Sequence, residues 1–433
     1  MNRPRLTLAV ALFLAAGMWC YADFILVPYE RAEAAASGRP RGNLSDLYPR
    51  WLGARELLLH GRDPYSPEIT REIQLGYYGR PIDPSRANDP TDQQGFAYPV
   101  YVVFLLAPTV PLPFSLVQAA FRWFLVAAVA ASVPLWLYAV RSRVSTSAVL
   151  AGIILTLGSF PAVQGIKLQQ LTLLVCTLLG GSVASLVSGR LVLAAFLLAL
   201  STIKPQLAMP FVGWLGLWTL GDWRSRQRFA WTFLITLVIL VLGGEFVLPG
   251  WIGRFRVAAS AYLDYAGGKS LLDLALTPGF GRMVALLVVL LVTIFCWRTR
   301  KASADSEAFR WTLAVVSTAT LVVIPTFAPY NQLLLLPAIL MILRSRAAWR
   351  EAGPLVRLSL TLTAIVIFAP WIAALLLDTL LIFLPQTQVQ RAWAVPLWTS
   401  WATPFPVLAA VALHGLTVFK GLPGPGPRAS VIH

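Results

Sequence analysis

GRMVALLVVLLVTIFCWRTRK occupies residues 281–301. An apolar run close to the length of one bilayer-spanning helix, about 20 residues, ends on Arg298, Arg300 and Lys301. The same pairing recurs along the chain. Further apolar runs lie at Leu6–Val27 and near 98–113, 115–140, 146–165, 170–188, 191–203, 205–220, 229–248, 311–328, 331–343, 355–376 and 401–419. Short basic gaps separate several of them: Arg141 and Arg143; Arg224, Arg226 and Arg228; Arg344, Arg346 and Arg350. Of the 433 residues, 57% are hydrophobic and 12% charged, against about 25% charged in a soluble domain. The pattern predicts an all-α polytopic membrane protein of about 11 to 13 spans. Short alternating strands, the mark of a β-barrel, do not occur. If both 98–113 and 115–140 crossed, Arg141 and Arg143 would fall on the outer side, against the charge rule, so one of the two runs is expected to be short or re-entrant.

The net charge of +16 does not indicate nucleic acid, because the basic residues sit in inter-helix gaps and no basic platform stands apart from the membrane. Cys20, Cys176 and Cys296 lie in apolar runs and form no disulfide or metal pattern. Leu6–Val27 follows Arg3 and Arg5 and reads as an uncleaved first helix rather than a signal peptide. Residues 1–420 are expected to form one membrane domain, with 28–97 as its first outer loop. The Gly/Pro-rich residues 421–433 are expected to be a disordered cytoplasmic tail.

That first loop holds ten of the 19 Asp and Glu residues, hence most of the available general bases. Within it, SDLYPRWLGARELLLHGRDPYSPE (45–68) reads as an interfacial helix over 47–60, opened by Pro49 and closed by Gly61 and Pro64; 66–78 is a candidate second helix. Asp46 at its start has two readings. One is an N-cap that accepts backbone N–H groups; the other is a carboxylate held at the membrane surface as a general base. Asp63 before Pro64 suits a turn. Nothing near His60 has metal-ligand spacing.

The order of motifs then matters. After the 45–68 stretch come FAYPVYVVFLLAPTVPLP (96–113), IKLQQLTLLVCTLL (166–179), LALSTIKPQLAMPFVGWL (198–215) and FAPYNQLLLLPAIL (327–340). Over roughly residues 5 to 345 the chain resembles the polytopic family typified by polyprenol-phosphate-mannose-dependent α-mannosyltransferases of the glycosyltransferase-C superfamily. The resemblance implies a helical membrane core, a first outer loop with interfacial helices, and transfer of a hexose from a polyprenyl phosphate to a glycan or glycolipid acceptor on the outer face of the cell membrane. It matches the family's proposed base to Asp46. It matches the loop motif to Gly61, Asp63, Pro64 and Tyr65, the approach to the next span to Tyr98 and Pro99, and the Lys-Pro element to Lys204 and Pro205. The family's Gly-Gln pair falls on Leu168 and Gln169, with Gln170 following. The His that characterised mannosyltransferases carry near the late outer helix end is replaced by Tyr330, Asn331 and Gln332.

The chemistry needs a base for the acceptor hydroxyl and cations for the departing phosphate. Lys204, Arg254, Arg256 and Lys269 are the phosphate candidates. Lys204 stands out because a Lys inside an apolar run is costly unless it is functional or reaches the headgroups. Asn331 and Gln332 suit sugar hydroxyls or a helix end; Trp51, Tyr65, Tyr98 and Tyr330 suit sugar stacking or a membrane belt. Asp63 and Gln169 complete the candidate sugar and acceptor contacts. A lone base implies inversion at the anomeric carbon. No cofactor and no metal is called for. The rival readings are a flippase of lipid-linked sugar, which would place ionisable groups at mid-membrane, a ligase or polymerase of lipid-linked glycans, and a non-catalytic envelope assembly protein.

Overall fold

A computed structural model describes residues 3–39, 45–83, 85–265, 268–345 and 353–420; the expected tail at 421–433 lies outside them. Among the described residues the chain is helical, with no strand. The first helix, α1 (Arg3–Tyr21), continues through a wider turn at Ala22–Leu26 into α2 (Val27–Ala36). The first long loop carries α3 (Tyr48–His60) and α4 (Pro67–Tyr78). Then follow α5 (Val102–Leu106), α6 (Phe114–Ala139), α7 (Thr146–Leu157), α8 (Phe160–Lys167), α9 (Leu171–Val187), α10 (Leu191–Ser201), α11 (Pro205–Gly221) and α12 (Trp223–Val247). The chain continues with α13 (Trp251–Tyr265), α14 (Leu271–Ala275), α15 (Pro278–Thr299), α16 (Glu307–Val323), a 3-10 segment Pro329–Leu335, α17 (Leu336–Arg344), α18 (Pro354–Phe383), α19 (Gln386–Val389), α20 (Val395–Trp401) and α21 (Pro404–Lys420).

Among the described residues five helices are long and apolar enough to cross a membrane: Pro4–Ala36, Phe114–Ala139, Trp223–Val247, Pro278–Thr299 and Pro354–Phe383. The pair α7 and α8, bent by 57°, makes a sixth if it counts as one span. Several other apolar runs form shorter helices, as in Leu171–Val187, Leu191–Ser201 and Pro329–Arg344. Turns break them where Pro or a polar residue interrupts the run, so an apolar run in the sequence is not always one crossing. The stretch 98–113 yields only the five residues of α5 and a 3-10 turn at 107–109, about 8 Å of helix. It is the short member of the pair that the charge rule set in conflict.

The core is aromatic and aliphatic. Trp136, Phe211, Phe309 and Trp311 are almost fully buried where α6, α9, α11 and α16 meet. Glycine is needed at one crossing: a Cβ on Gly158 would run into the backbone of Ala15, so α1 and α7 touch main chain to main chain. By contrast Leu242 and Phe246 on α12, Leu286 and Leu291 on α15, and Ile382 on α18 are largely exposed. Apolar patches of that extent belong against lipid.

The basic gaps gather at one face. Arg226 donates to the carbonyls of Arg300 (2.8 Å) and Ala302 (2.9 Å) and stacks 3.9 Å from the Trp218 ring centroid. Arg344 pairs with Glu307 at 2.5 Å, and Arg141 donates to the last carbonyl of α9, Val187. Arg226 and Arg141 thus satisfy helix C-termini. Trp218 lies in the last turn of α11, whereas Lys204 sits at its other end. About 25 Å of helix therefore separates Lys204 from the basic face.

Candidate active site

The geometry starts from a turn. Residues 166–170 leave α8 and begin α9, and Gln169 takes a left-handed φ of 48° there. Its side chain is fully buried and spent on that turn: Nε2 donates to the carbonyls of Ile166 (2.7 Å) and Lys167 (2.9 Å). Gln118 donates to its Oε1 at 3.3 Å. The turn presents the Leu168 carbonyl to the first long loop, where it accepts from the Asp46 backbone N–H at 2.9 Å and from the Ser45 hydroxyl at 3.4 Å. Nearby, Lys167 pairs with Glu30 of α2 at 2.6 Å.

Asp46 does not cap α3. The Ser45 Oγ accepts from Leu47 N–H at 3.1 Å, and the capping residue Leu47 offers no side chain. Pro49 in the first turn and Gly61, with φ of 66°, bound α3 as the sequence predicts. The Asp46 carboxylate turns inward instead. The Tyr77 hydroxyl of α4 donates to Oδ1 at 3.0 Å, and the Gln170 amide donates to Oδ2. One turn along α3, Arg50 donates to the Asp46 carbonyl at 2.8 Å and lies 4.7 Å from the Tyr98 ring centroid.

Gln170 faces two ways. Its Oε1 lies 3.5 Å from the Lys204 ammonium, which also donates to the Thr172 hydroxyl and sits 5.0 Å from the Tyr330 ring centroid. Lys204 is buried, and none of the ion pairs among the described residues includes it. Thr172 donates in turn to Asn331 Oδ1 at 3.4 Å. A buried ammonium held by neutral oxygens and an aromatic face retains its attraction for an anion.

These groups line one cavity of about 280 Å³. Its wall includes Asp46, Arg50, Asp92, Tyr98, Gln170, Lys204, Tyr262, Tyr265, Tyr330 and Asn331. Burial opposes the charge on Arg50, but Tyr98 and the carboxylates Asp46 and Asp92 outweigh it and hold its pKa above the usual range. Burial pushes the Asp92 carboxyl above its ordinary value, and the neighbouring Asp46 adds to that against the Gln94 N–H and Arg50. Burial, with Asp92 nearby, raises the Tyr262 phenol to about 12. Among the described residues no three His, Cys, Asp or Glu side chains are grouped as for a metal.

Of the residues singled out in the sequence, Asp46, Lys204, Tyr98, Tyr330 and Asn331 come together. The others do not. Asp63 accepts from the Tyr65 N–H at 2.9 Å in a turn and pairs with Arg254 at 2.8 Å, outside the cavity lining. Tyr65 braces the site from behind, donating to the Tyr98 carbonyl at 2.6 Å. Arg256 and Lys269 are exposed and absent from the lining. Gln332 faces a separate, mostly apolar cavity of about 270 Å³ and donates to the Ser400 carbonyl at 2.9 Å. Gln169 is structural, and Gln170 reaches the carboxylate. Sequence reasoning missed Arg50, Asp92, Gln170, Tyr262 and Tyr265. Only Arg50 had a local signal, four residues from Asp46 on one helix face.

The sequence model of glycosyltransferase family 87 matches residues 96–325, more than half of the chain. This chain belongs to glycosyltransferase family 87. No curated protein and no solved structure matches it. The family 87 match contains Tyr98, Gln170, Lys204 and Tyr262, while Asp46, Arg50, Asp92, Tyr330 and Asn331 are brought to the same cavity from outside it. The protein is thus a multi-pass membrane glycosyltransferase with an acidic and basic cavity at the end of α11 away from the basic face.

Proposed function

We propose that this family 87 protein transfers a hexose, mannose-like, from a polyprenyl-phosphate carrier to a glycan or glycolipid acceptor on the outer face of the cell membrane. One observation carries the reading: the Gln170 amide bridges a carboxylate, Asp46, and a buried ammonium, Lys204, in one cavity. In this mechanism the acceptor oxygen attacks the anomeric carbon, and Asp46 takes the hydroxyl proton. The bond between that carbon and the phosphate oxygen breaks. The polyprenyl phosphate leaves with the electron pair, its negative charge met by Lys204 and, from the α3 side, Arg50. Attack opposite the leaving group inverts the anomeric centre. Donor and acceptor are held in one cavity, so the protein's contribution is positioning and charge. The charge rule supports the outer face, since the basic residues gather at the end of α11 away from the cavity.

The test is transfer of labelled hexose from a polyprenyl-phosphate hexose to membrane glycolipid in proteoliposomes, with Asp46→Asn beside the native protein. Native transfer with at least a hundredfold loss in the variant is expected. Undiminished transfer by Asp46→Asn would remove the base from the mechanism. Labelled lipid that crosses the bilayer without transfer would make the protein a flippase.

A further inference from the structure

One wall of the cavity has no part in the mechanism above. It is formed by Asp92, Gln94 and Gly95 from the end of the first long loop, and by Tyr262 and Tyr265 from α13. The loop is fastened to α4: the Tyr78 hydroxyl donates to the Asp92 carbonyl at 2.8 Å, and Gln74 donates to the Gln93 carbonyl at 3.1 Å. Gln94 bends back in the left-handed region, at φ 54°, so that its backbone N–H and its side-chain amide each donate to one Asp92 oxygen, both at 2.9 Å. A non-glycine residue held there is strained, and such strain persists where the surroundings impose it. Its effect is to fix the Asp92 carboxylate at the cavity wall. Each oxygen has accepted one hydrogen bond and can accept another.

The two tyrosines stand one helical turn apart, with ring centroids at 5.4 Å and planes at 80°. Both rings line the cavity, and Asp92 is the carboxylate that most affects either phenol.

Charge decides what this wall receives. A phosphate would meet two carboxylates here, Asp92 and Asp46, and is better placed at Lys204. An amine would meet Arg50 as well as those carboxylates, so a full charge of either sign is opposed at this wall. A neutral ligand with adjacent hydroxyls and an apolar ring face satisfies all three groups: hydroxyls donate to Asp92, and the ring lies on tyrosine.

We infer that Asp92, Tyr262 and Tyr265 form the seat of the acceptor's terminal sugar, a neutral pyranoside, leaving the Lys204 end for the donor phosphate. Asp92 is a binding residue in this arrangement and does not take the reacting proton. The inference rests on the proposed transfer reaction, so its test is a binding measurement that needs no turnover.

The experiment is saturation-transfer NMR on the full chain in nanodiscs, with methyl α-D-mannopyranoside as probe and methyl β-D-glucuronide as the charged control. The neutral glycoside is expected to bind and the glucuronide to be rejected. Asp92→Asn and, separately, Tyr262→Ala should each weaken glycoside binding about tenfold or more, the loss of a hydrogen bond to a charged group or of a ring face. Polyprenyl phosphate binding to both variants should stay within about twofold of native, which also shows that they are folded. Tyr265→Phe, which removes one hydroxyl, should fall between native and Asp92→Asn. Unchanged glycoside binding in Asp92→Asn, or none in the native protein, overturns the inference. Glycoside binding lost in Asp92→Asn while Asp46→Asn still transfers hexose would keep this seat and discard the base.

Discussion

Replacing Gln170 with Leu removes the link between carboxylate and ammonium while roughly keeping the side-chain volume. Gln170 is buried, its amide donating to Asp46 Oδ2 and its carbonyl lying 3.5 Å from Lys204 Nζ. The second contact is at the limit of hydrogen-bond geometry and adds little. The first is a hydrogen bond to a charged group, and its loss costs about 1.5–3 kcal/mol. If that bond orients Asp46 to take the acceptor proton, the cost falls on the transition state, where about 1.4 kcal/mol is tenfold in rate. The expected loss in kcat is therefore about 10- to 100-fold. Initial rates of hexose transfer at saturating donor, normalised to folded protein, measure it. The matched control is Gln169→Gly, which removes two carbonyl contacts, at 2.7 and 2.9 Å, from the neighbouring buried side chain and keeps the left-handed φ of that position. That variant should melt lower while keeping kcat within about threefold, since its bonds go to backbone and not to the base. Native kcat in Gln170→Leu, or an equal kcat loss in the two variants, refutes the assignment of Gln170 over Gln169.

Three further outcomes follow from the geometry. Gly158→Ala forces a methyl into the Ala15 backbone. It should cost about 1–3 kcal/mol of overpacking and lower the melting temperature seen by tryptophan fluorescence, whereas Gly213→Ala, with open space around it, should be neutral or slightly stabilising. Arg254→Ala breaks a pair whose side chains are 44% and 30% exposed. Such a pair is worth under about 1 kcal/mol, so transfer rate and donor KM should stay within about twofold. The raised Asp92 pKa has a definite sign. The folded protein holds that proton more tightly than the unfolded chain does, so stability falls as pH rises from the ordinary carboxylate pKa through the raised one. Acceptor affinity moves the other way, since acid that protonates Asp92 raises the acceptor KM. Asp92→Asn should flatten both profiles in a pH series of melts and initial rates.

What the sequence made legible was whatever depends on local pattern. Apolar runs and their basic flanks marked the membrane helices and the face where Arg226, Arg300 and Arg344 gather. Pro49 and Gly61 marked the ends of α3, because a first-turn proline and a left-handed glycine act within one turn of their own position. The number of crossings was less legible, since hydropathy does not distinguish a run that stays one helix from one that bends, as at α7 and α8. The site was half legible. Asp46 and Lys204 carry charge where charge is costly, and that alone draws attention. Gln170 carries none. Its role depends on the 166–170 turn meeting a loop more than 120 residues earlier in the chain, which no local pattern encodes. The one-residue error between Gln169 and Gln170 has the same origin. The motif suggests a Gly-Gln pair at Leu168-Gln169, but the left-handed position is Gln169, so the glycine-like place and the amide that reaches Asp46 both shift by one.

That shift also explains how Asp46 is held. Two donors from the first long loop, the Asp46 N–H and the Ser45 hydroxyl, meet one acceptor, the Leu168 carbonyl. A backbone carbonyl survives side-chain substitution at position 168. Its direction is set instead by the peptide between Leu168 and Gln169, which the left-handed φ of Gln169 turns toward the loop. The same turn then delivers Gln170 to the carboxylate and, two residues on, Thr172 to Lys204 and Asn331. One turn at the start of α9 thus fixes Asp46, Lys204 and the 3-10 segment relative to one another. It lies inside the region matched by family 87, while Asp46, which it holds, lies outside. A change that relaxes Gln169 out of the left-handed region would therefore rotate the Leu168 carbonyl and move Asp46 and Gln170 together, without altering any group that touches a substrate.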